Sequence, residues 1–217
     1  MTIRINRAHF PVTTLGPGRR IGLWMQGCHI HCPGCISRDT WDAATGREVD
    51  LDAVLHWCRG VGVQNCDGVT ISGGEPFEQP DALAALLDGL DAWRREMGRP
   101  FDILCYSGFP LLRLKRDHPD ILGQLDALIP EPYVDHLPRG GPWRGSANQT
   151  LVPLSAIGRA RYSAYLGTKA KDRGTLQVSV EAGEVIYIGI PSRGDMERLD
   201  ETARRRGVLL QGVSWRA

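Results

Sequence analysis

Three cysteines in "GCHIHCPGCISRDTW", residues 27–41, stand at spacings of four and three: Cys28, Cys32 and Cys35. A disulfide framework needs even numbers, and a closed structural zinc site needs four ligands. Three thiols suit a metal centre with one position open. An iron–sulfur cube takes one thiolate per iron, so a three-cysteine loop leaves its fourth iron free for an external ligand. S-adenosylmethionine is suited to that position, because its amino and carboxylate groups chelate iron. One electron passed into its sulfonium then breaks a carbon–sulfur bond and releases a 5′-deoxyadenosyl radical. The difficult chemistry belongs to the cofactors, and the protein supplies position and dryness. No general base or nucleophilic serine is needed for that step, and the sequence offers no convincing one. The competing reading is a zinc site built from the same cysteines with His29 or His31, which would make the chain a non-catalytic interaction module.

The elements that must position this loop follow from hydrophobic period and punctuation. "RIGLWM" (20–25) reads as a short buried strand running into the cysteines. "LDAVLHWCRG" (51–60) is helical, with Asp50 as its N-cap. "GVTIS" (68–72) is a strand ending at Gly73-Gly74. Leu83, Leu86, Leu87, Leu90 and Met97 keep helical spacing up to a stop at Gly98. "FDILCYS" (101–107) and "DALI" (126–129) are strands around a short helix, "HPDILGQL" (118–125). Alternating strands and helices predict parallel βαβ units, whose functional loops lie at the carboxyl ends of the strands. The cysteine loop, the Gly-Gly turn and "YSG" (106–108) should therefore share one rim. The expected fold is α/β, a partial (β/α) barrel of roughly five or six parallel strands.

Composition narrows the setting. The chain has 217 residues, a net charge of +1 and 42% hydrophobic residues. That charge argues against a dedicated nucleic-acid or membrane-surface protein. No apolar run approaches ~20 residues, so no membrane span is expected. "MTIRINRAHF" lacks the apolar core of a secretory signal, which points to the cytoplasm, where six cysteines favour metal binding over disulfides. The remaining thiols, Cys58, Cys66 and Cys105, are scattered and read as small buried hydrophobes. One cluster is expected.

The segment "GPGRRIGLWMQGCHIHCPGCISRDTW" resembles the activating enzymes of anaerobic ribonucleotide reductase, within the radical S-adenosylmethionine superfamily. The resemblance continues through "TISGGEPF", "YSGF" and "WRGSANQ", roughly residues 10 to 153. It implies one [4Fe–4S] cluster held by Cys28, Cys32 and Cys35, with S-adenosylmethionine as second cofactor. It also implies a glycyl-radical enzyme as partner and an electron donor such as flavodoxin or ferredoxin. By the same match, Gly73, Gly74 and Glu75 neighbour the cofactor's amino group, with Glu75 shaping the turn. Gly34 and Ile36 flank Cys35 and should lie against the adenine. Ser107 either bonds the ribose or carboxylate or is an ordinary strand-end serine. Arg144, Ser146 and Asn148 of "WRGSANQ" either reach the cofactor or partner or close the barrel's open side. Three departures stand out: Leu15 before Gly-Pro-Gly, Ile36 where relatives carry an aromatic, and "IPEPY" where they carry an Asp-Gly turn. A radical enzyme acting directly on a small molecule or peptide is the alternative of the same class.

Residues 1–154 form the expected radical core and 155–217 an accessory segment. In the latter, "TLQVSVEAGEVIYIGI" is a hairpin turning at Ala182-Gly183, "DMERLDETARRRG" a helix and "VLLQGVSW" a last strand. "GRARYSAYLGTKAKDR" (158–173) interleaves Arg159, Arg161, Lys169, Lys171 and Arg173 with Tyr162 and Tyr165. That pattern suits nucleic acid or, more commonly, a solvated connection.

Overall fold

A computed structural model describes residues 1–63, 65–168, 174–181 and 184–215. Its centre is a mixed seven-stranded sheet in the order β3-β1-β2-β4-β5-β6-β7. The strands are β1 (Thr2–Val12), β2 (Arg20–Met25), β3 (Arg47–Asp50), β4 (Gly68–Gly73), β5 (Asp102–Tyr106), β6 (Ala127–Ile129) and β7 (Val152–Pro153). Four of them, β2, β4, β5 and β6, run parallel. β1, β3 and β7 are antiparallel to their neighbours. The expected count of five or six parallel strands is thus too high, and the sheet does not close. The N-terminal segment explains the difference. It enters as an antiparallel strand between β3 and β2, through Ile3 and Ile5, which are buried.

Alternation along the parallel strands builds two faces. Ile21, Leu23 and Met25, Val69 and Ile71, Ile103 and Cys105 join the main core with helices α1 (Leu51–Gly62) and α2 (Pro80–Met97). Asp50 caps α1 by accepting from the Asp52 N–H, and α2 ends at Gly98 in the left-handed conformation. Two short helices, α3 (Leu111–Asp117) and α4 (Pro119–Gln124), pack on the same core through Leu114, Ile121 and Leu122. The opposite face carries Arg20, Thr70, Asp102, Leu104 and Tyr106.

At the amino ends of the strands that second face is closed by a buried ion pair. Arg20 and Asp102 are fully buried, joined at 2.8 Å and 3.0 Å. Thr70 Oγ1 and the Val69 carbonyl accept the other guanidinium protons. Burial alone would pull the Arg20 guanidinium down, but the surrounding Tyr162 and Asp102 hold it up. Helix α5 (Ala156–Tyr162) covers the pair: the Tyr162 hydroxyl donates to Asp102 Oδ2, and Arg161 lies 2.8 Å from Oδ1. These two members of the basic, aromatic stretch are therefore structural. Its Lys169, Lys171 and Arg173 lie outside the described residues.

Beyond α5, strands β8 (Thr175–Glu181) and β9 (Glu184–Ile190) form the expected antiparallel hairpin, whose turn residues are outside the described set. Ile186 and Ile188 pack on Val12 and Leu15. Helix α6 (Asp195–Arg205) follows. The strand expected over 208–215 does not form. That segment is irregular, and Val208 and Leu209 are exposed.

Candidate metal and cofactor site

The cysteine loop begins where β2 ends, and its base is fixed by main-chain bonds. Gly27 N–H donates to the Thr40 carbonyl at 2.8 Å and Cys28 N–H to that of Trp41 at 3.0 Å. Inside the loop, the Gln26 amide reaches the Asp39 and Asp42 carbonyls at 2.9 Å and 2.7 Å. The three thiols are free and partly exposed, whereas Cys58, Cys66 and Cys105 are buried in the core. Burial pushes the Cys28 thiol up to about 11 and raises Cys32 and Cys35. Opposing that, N–H donors already face each sulfur. Ile30 and His31 supply them to Cys28, Tyr133 to Cys32, and Ser37 with the Trp41 indole to Cys35. Such donors favour a thiolate bound to metal and tune its electronics.

The donor set fits a cube better than a single ion. Among the described residues no three His, Cys, Asp or Glu side chains converge closely enough to hold one metal ion. A cube instead takes its thiolates at separate corners. The two histidines of the loop have contacts of their own. His29 Nδ1 is 2.7 Å from Glu78 Oε2, and the His31 ring stacks on Trp41 at 4.4 Å.

The second loop is the turn after β4. Gly73 has φ +100°, a region that favours glycine. A Cβ on Gly74 would overlap the Gly27 carbonyl oxygen. Glycine here lets two backbones touch: Gly74 N–H donates to the Met25 carbonyl and Glu75 N–H to that of Gly27, each at 2.8 Å. The Glu75 carboxylate is 1% exposed and accepts from Phe77 N–H (3.1 Å), Ser107 Oγ (2.8 Å) and Gly108 N–H (2.6 Å). Burial pushes it up to about 7 despite those three donors. Glu75 is thus bonded across the turn and the end of β5, with its carboxyl held near neutrality.

The loops converge. One cavity of about 200 Å³ is lined by Cys28, Cys32 and Cys35 and by Gly34, Ile36, Gly73, Gly74, Glu75 and Ser107. Arg144, Ser146 and Asn148, also singled out in the sequence, are not among its lining residues. The Ser107 hydroxyl is occupied by Glu75, which makes Ser107 a holder of that carboxylate. Gly34, with φ +77°, sits under Asp135, whose Oδ1 would lie 2.6 Å from a Cβ.

"WRGSANQ" works mainly within its own loop. Ser146 Oγ accepts from Val134 N–H, and Asn148 Nδ2 donates to the Pro132 carbonyl. Gln149, which the sequence reading passed over, accepts from Gly145 N–H at 2.9 Å and donates to the Glu131 carbonyl at 3.0 Å. Gly145 and Gln149 also line the cavity. In "IPEPY", Glu131 has φ +83°, the backbone region a glycine would take in an Asp-Gly turn. The bend is kept without its usual residues. Ile190 and Pro191, at the end of β9, complete the wall. No sequence signal marked them, because a hairpin end carries no motif.

The profile of the 4Fe-4S single cluster domain matches residues 14–152. The chain belongs to that family. The 4Fe-4S family member is 29% identical over 136 residues to the anaerobic ribonucleoside-triphosphate reductase-activating protein of Enterobacteria phage T4, covering 63% of this chain and 85% of that one. It is 28% identical over 148 residues to the protein of that name from Vibrio cholerae serotype O1, covering 66% and 94%. Over 88 residues it is 36% identical to the pyruvate formate-lyase-activating enzyme of Listeria monocytogenes, covering 37% and 34%. Family and relatives support the cofactors as one [4Fe–4S] cluster and S-adenosylmethionine. Among the described residues no helix is long and apolar enough to cross a membrane.

Proposed function

We propose that this protein is a radical S-adenosylmethionine activase that installs a glycyl radical on a partner enzyme, of the kind its reductase-activating relatives serve. The observation that carries the reading is the convergence of the cysteine loop, the Gly73-Gly74 turn and the Ser107 end of β5 on one cavity. Cys28, Cys32 and Cys35 would hold the cluster. When bound, cluster and S-adenosylmethionine supply one-electron cleavage to methionine and a 5′-deoxyadenosyl radical, which takes a hydrogen atom from a glycine Cα to give 5′-deoxyadenosine. The electron comes from a low-potential donor such as flavodoxin or ferredoxin.

The chain's own residues bind and shield. Carbonyls of the Gly73-Gly74 turn would accept from the cofactor's amino group, and Glu75 places a negative charge nearby. Gly34 and Ile36 offer an apolar bed for the adenine, by packing rather than by stacking. The four parallel strands, with α1 and α2 on one face, support a partial (β/α) barrel as the architecture of the core. We place α5 within that core, because Tyr162 binds Asp102, and begin the accessory part after it.

The deciding experiment is anaerobic incubation with S-adenosylmethionine and a strong reductant, followed by assay for 5′-deoxyadenosine. Absence of that product from iron-replete protein would overturn the proposal.

A further inference from the structure

The family profile ends at residue 152. The two reductase-activating relatives match over 85% and 94% of their own length but only 63% and 66% of this chain. About a third of this protein thus lies beyond them. That third does not hang free: it returns to the candidate site and its surroundings at three places.

Ile190 and Pro191 line the same cavity as the Gly73-Gly74 turn. Ser214 Oγ donates to the Ile36 carbonyl at 2.7 Å, one residue past Cys35. Arg193 lies 3.5 Å from Asp135, the residue packed over Gly34. The C-terminal strap is therefore tied directly to the segment after Cys35 through Ser214, and to Asp135 beside Gly34 through Arg193. Between these points it stands off the body over a cavity of about 530 Å³, lined by Trp24, Ile188, Met196 and Leu210 among others.

We propose that residues 190–215 select the substrate, with Ile190 and Pro191 as a doorway to the radical site and Ser214 as the tie that keeps it shut. The inference rests on the activase reading above. A doorway lined by the apolar Ile190 and Pro191 admits an extended segment with glycine at the reacting position, which brings a Cα–H to the site without a side chain to pass. Alanine at that position adds a methyl that must displace Ile190 or Pro191. The doorway also keeps water and stray hydrogen donors from the radical. Of the two ties, Arg193 is 75% exposed in its side chain, and an exposed ion pair contributes little. Ser214 is the one whose loss should be felt.

Two measurements test this on the full chain. The first needs no substrate: the rate at which a bulky ferrous chelator strips the reconstituted cluster. Ser214→Ala should raise it about fivefold, as expected for one lost hydrogen bond, and Arg193→Gln should leave it nearly unchanged. Equal rates for Ser214→Ala and the parent protein would overturn the tie. The second uses two synthetic heptapeptides, glycine-centred and alanine-centred, each deuterated at the central Cα, and follows deuterium into 5′-deoxyadenosine. The parent protein should take label from glycine only, and Pro191→Ala from both. An unchanged preference in Pro191→Ala and in Ile190→Ala would overturn the doorway. Label from neither peptide, with 5′-deoxyadenosine still formed, would count against the glycyl reading, and the chelation rates would still decide the strap.

Discussion

The Ser107 hydroxyl donates to Glu75 Oε1 across 2.8 Å, so the end of β5 holds the carboxylate that follows the glycine turn of β4. Burial sets that carboxylate's titration near neutrality, at about 7 against an ordinary 4.5. The folded protein therefore binds a proton that the unfolded chain has already lost. In the metal-free protein this contribution is fully present below about pH 4.5 and is lost as pH rises through about 7, roughly 3 kcal/mol in all. Urea unfolding between pH 5 and 8 should show it. Glu75→Gln should flatten the slope, and Ser107→Ala, which removes a donor to the charged form, should move the window to higher pH. A slope equal in parent and Glu75→Gln would assign it to another group.

Iron content separates the six cysteines. Cys28→Ala, Cys32→Ala or Cys35→Ala should each abolish a cube of about four irons per chain. Cys58→Ala and Cys66→Ser should keep it, since both residues are core-packed and remote from the cavity. Stoichiometric zinc without iron in anaerobically purified protein would end the radical reading.

Gly74→Val should do more than block the cofactor. The new Cβ would overlap the Gly27 carbonyl, next to Cys28, so the loop must shift and cluster assembly should fall together with cleavage. Normal iron content and normal 5′-deoxyadenosine in this variant would show that the two backbones are not in contact.

At the opposite rim, Tyr162→Phe should cost about 2 kcal/mol, the usual value of a hydrogen bond to a buried charge, and lower Tm by roughly 4–8 °C. Cluster content and cleavage should be unaffected. Ending the chain at Leu154 removes Tyr162 and Arg161 together, leaving the Arg20–Asp102 pair uncovered. That protein should be far less stable than one ended after Thr168, as thermal unfolding of the two would show. Equal stability would return the core boundary to residue 154.

What the sequence by itself determined is local. Cys28, Cys32 and Cys35 sit within eight consecutive residues, and the β2, β4 and β5 segments announce themselves by apolar runs ending at Gln26, Gly73 and Ser107. Parallel βαβ order then requires their carboxyl ends to meet, and they do. The α1 cap at Asp50 and the α2 stop at Gly98 are equally legible, because caps are chosen by nearest neighbours. Tertiary structure decided the rest. The pairing of β1 with β2 and β3, the Tyr162–Asp102 bond across 60 positions and the Ser214–Ile36 bond across 178 leave no periodic trace. Each depends on two segments brought together only by the packing of everything between them. The strand expected at 208–215 also failed on tertiary grounds: its apolar residues are legible, but a strand forms only where a neighbouring strand pairs with it, and this segment pairs with none among the described residues.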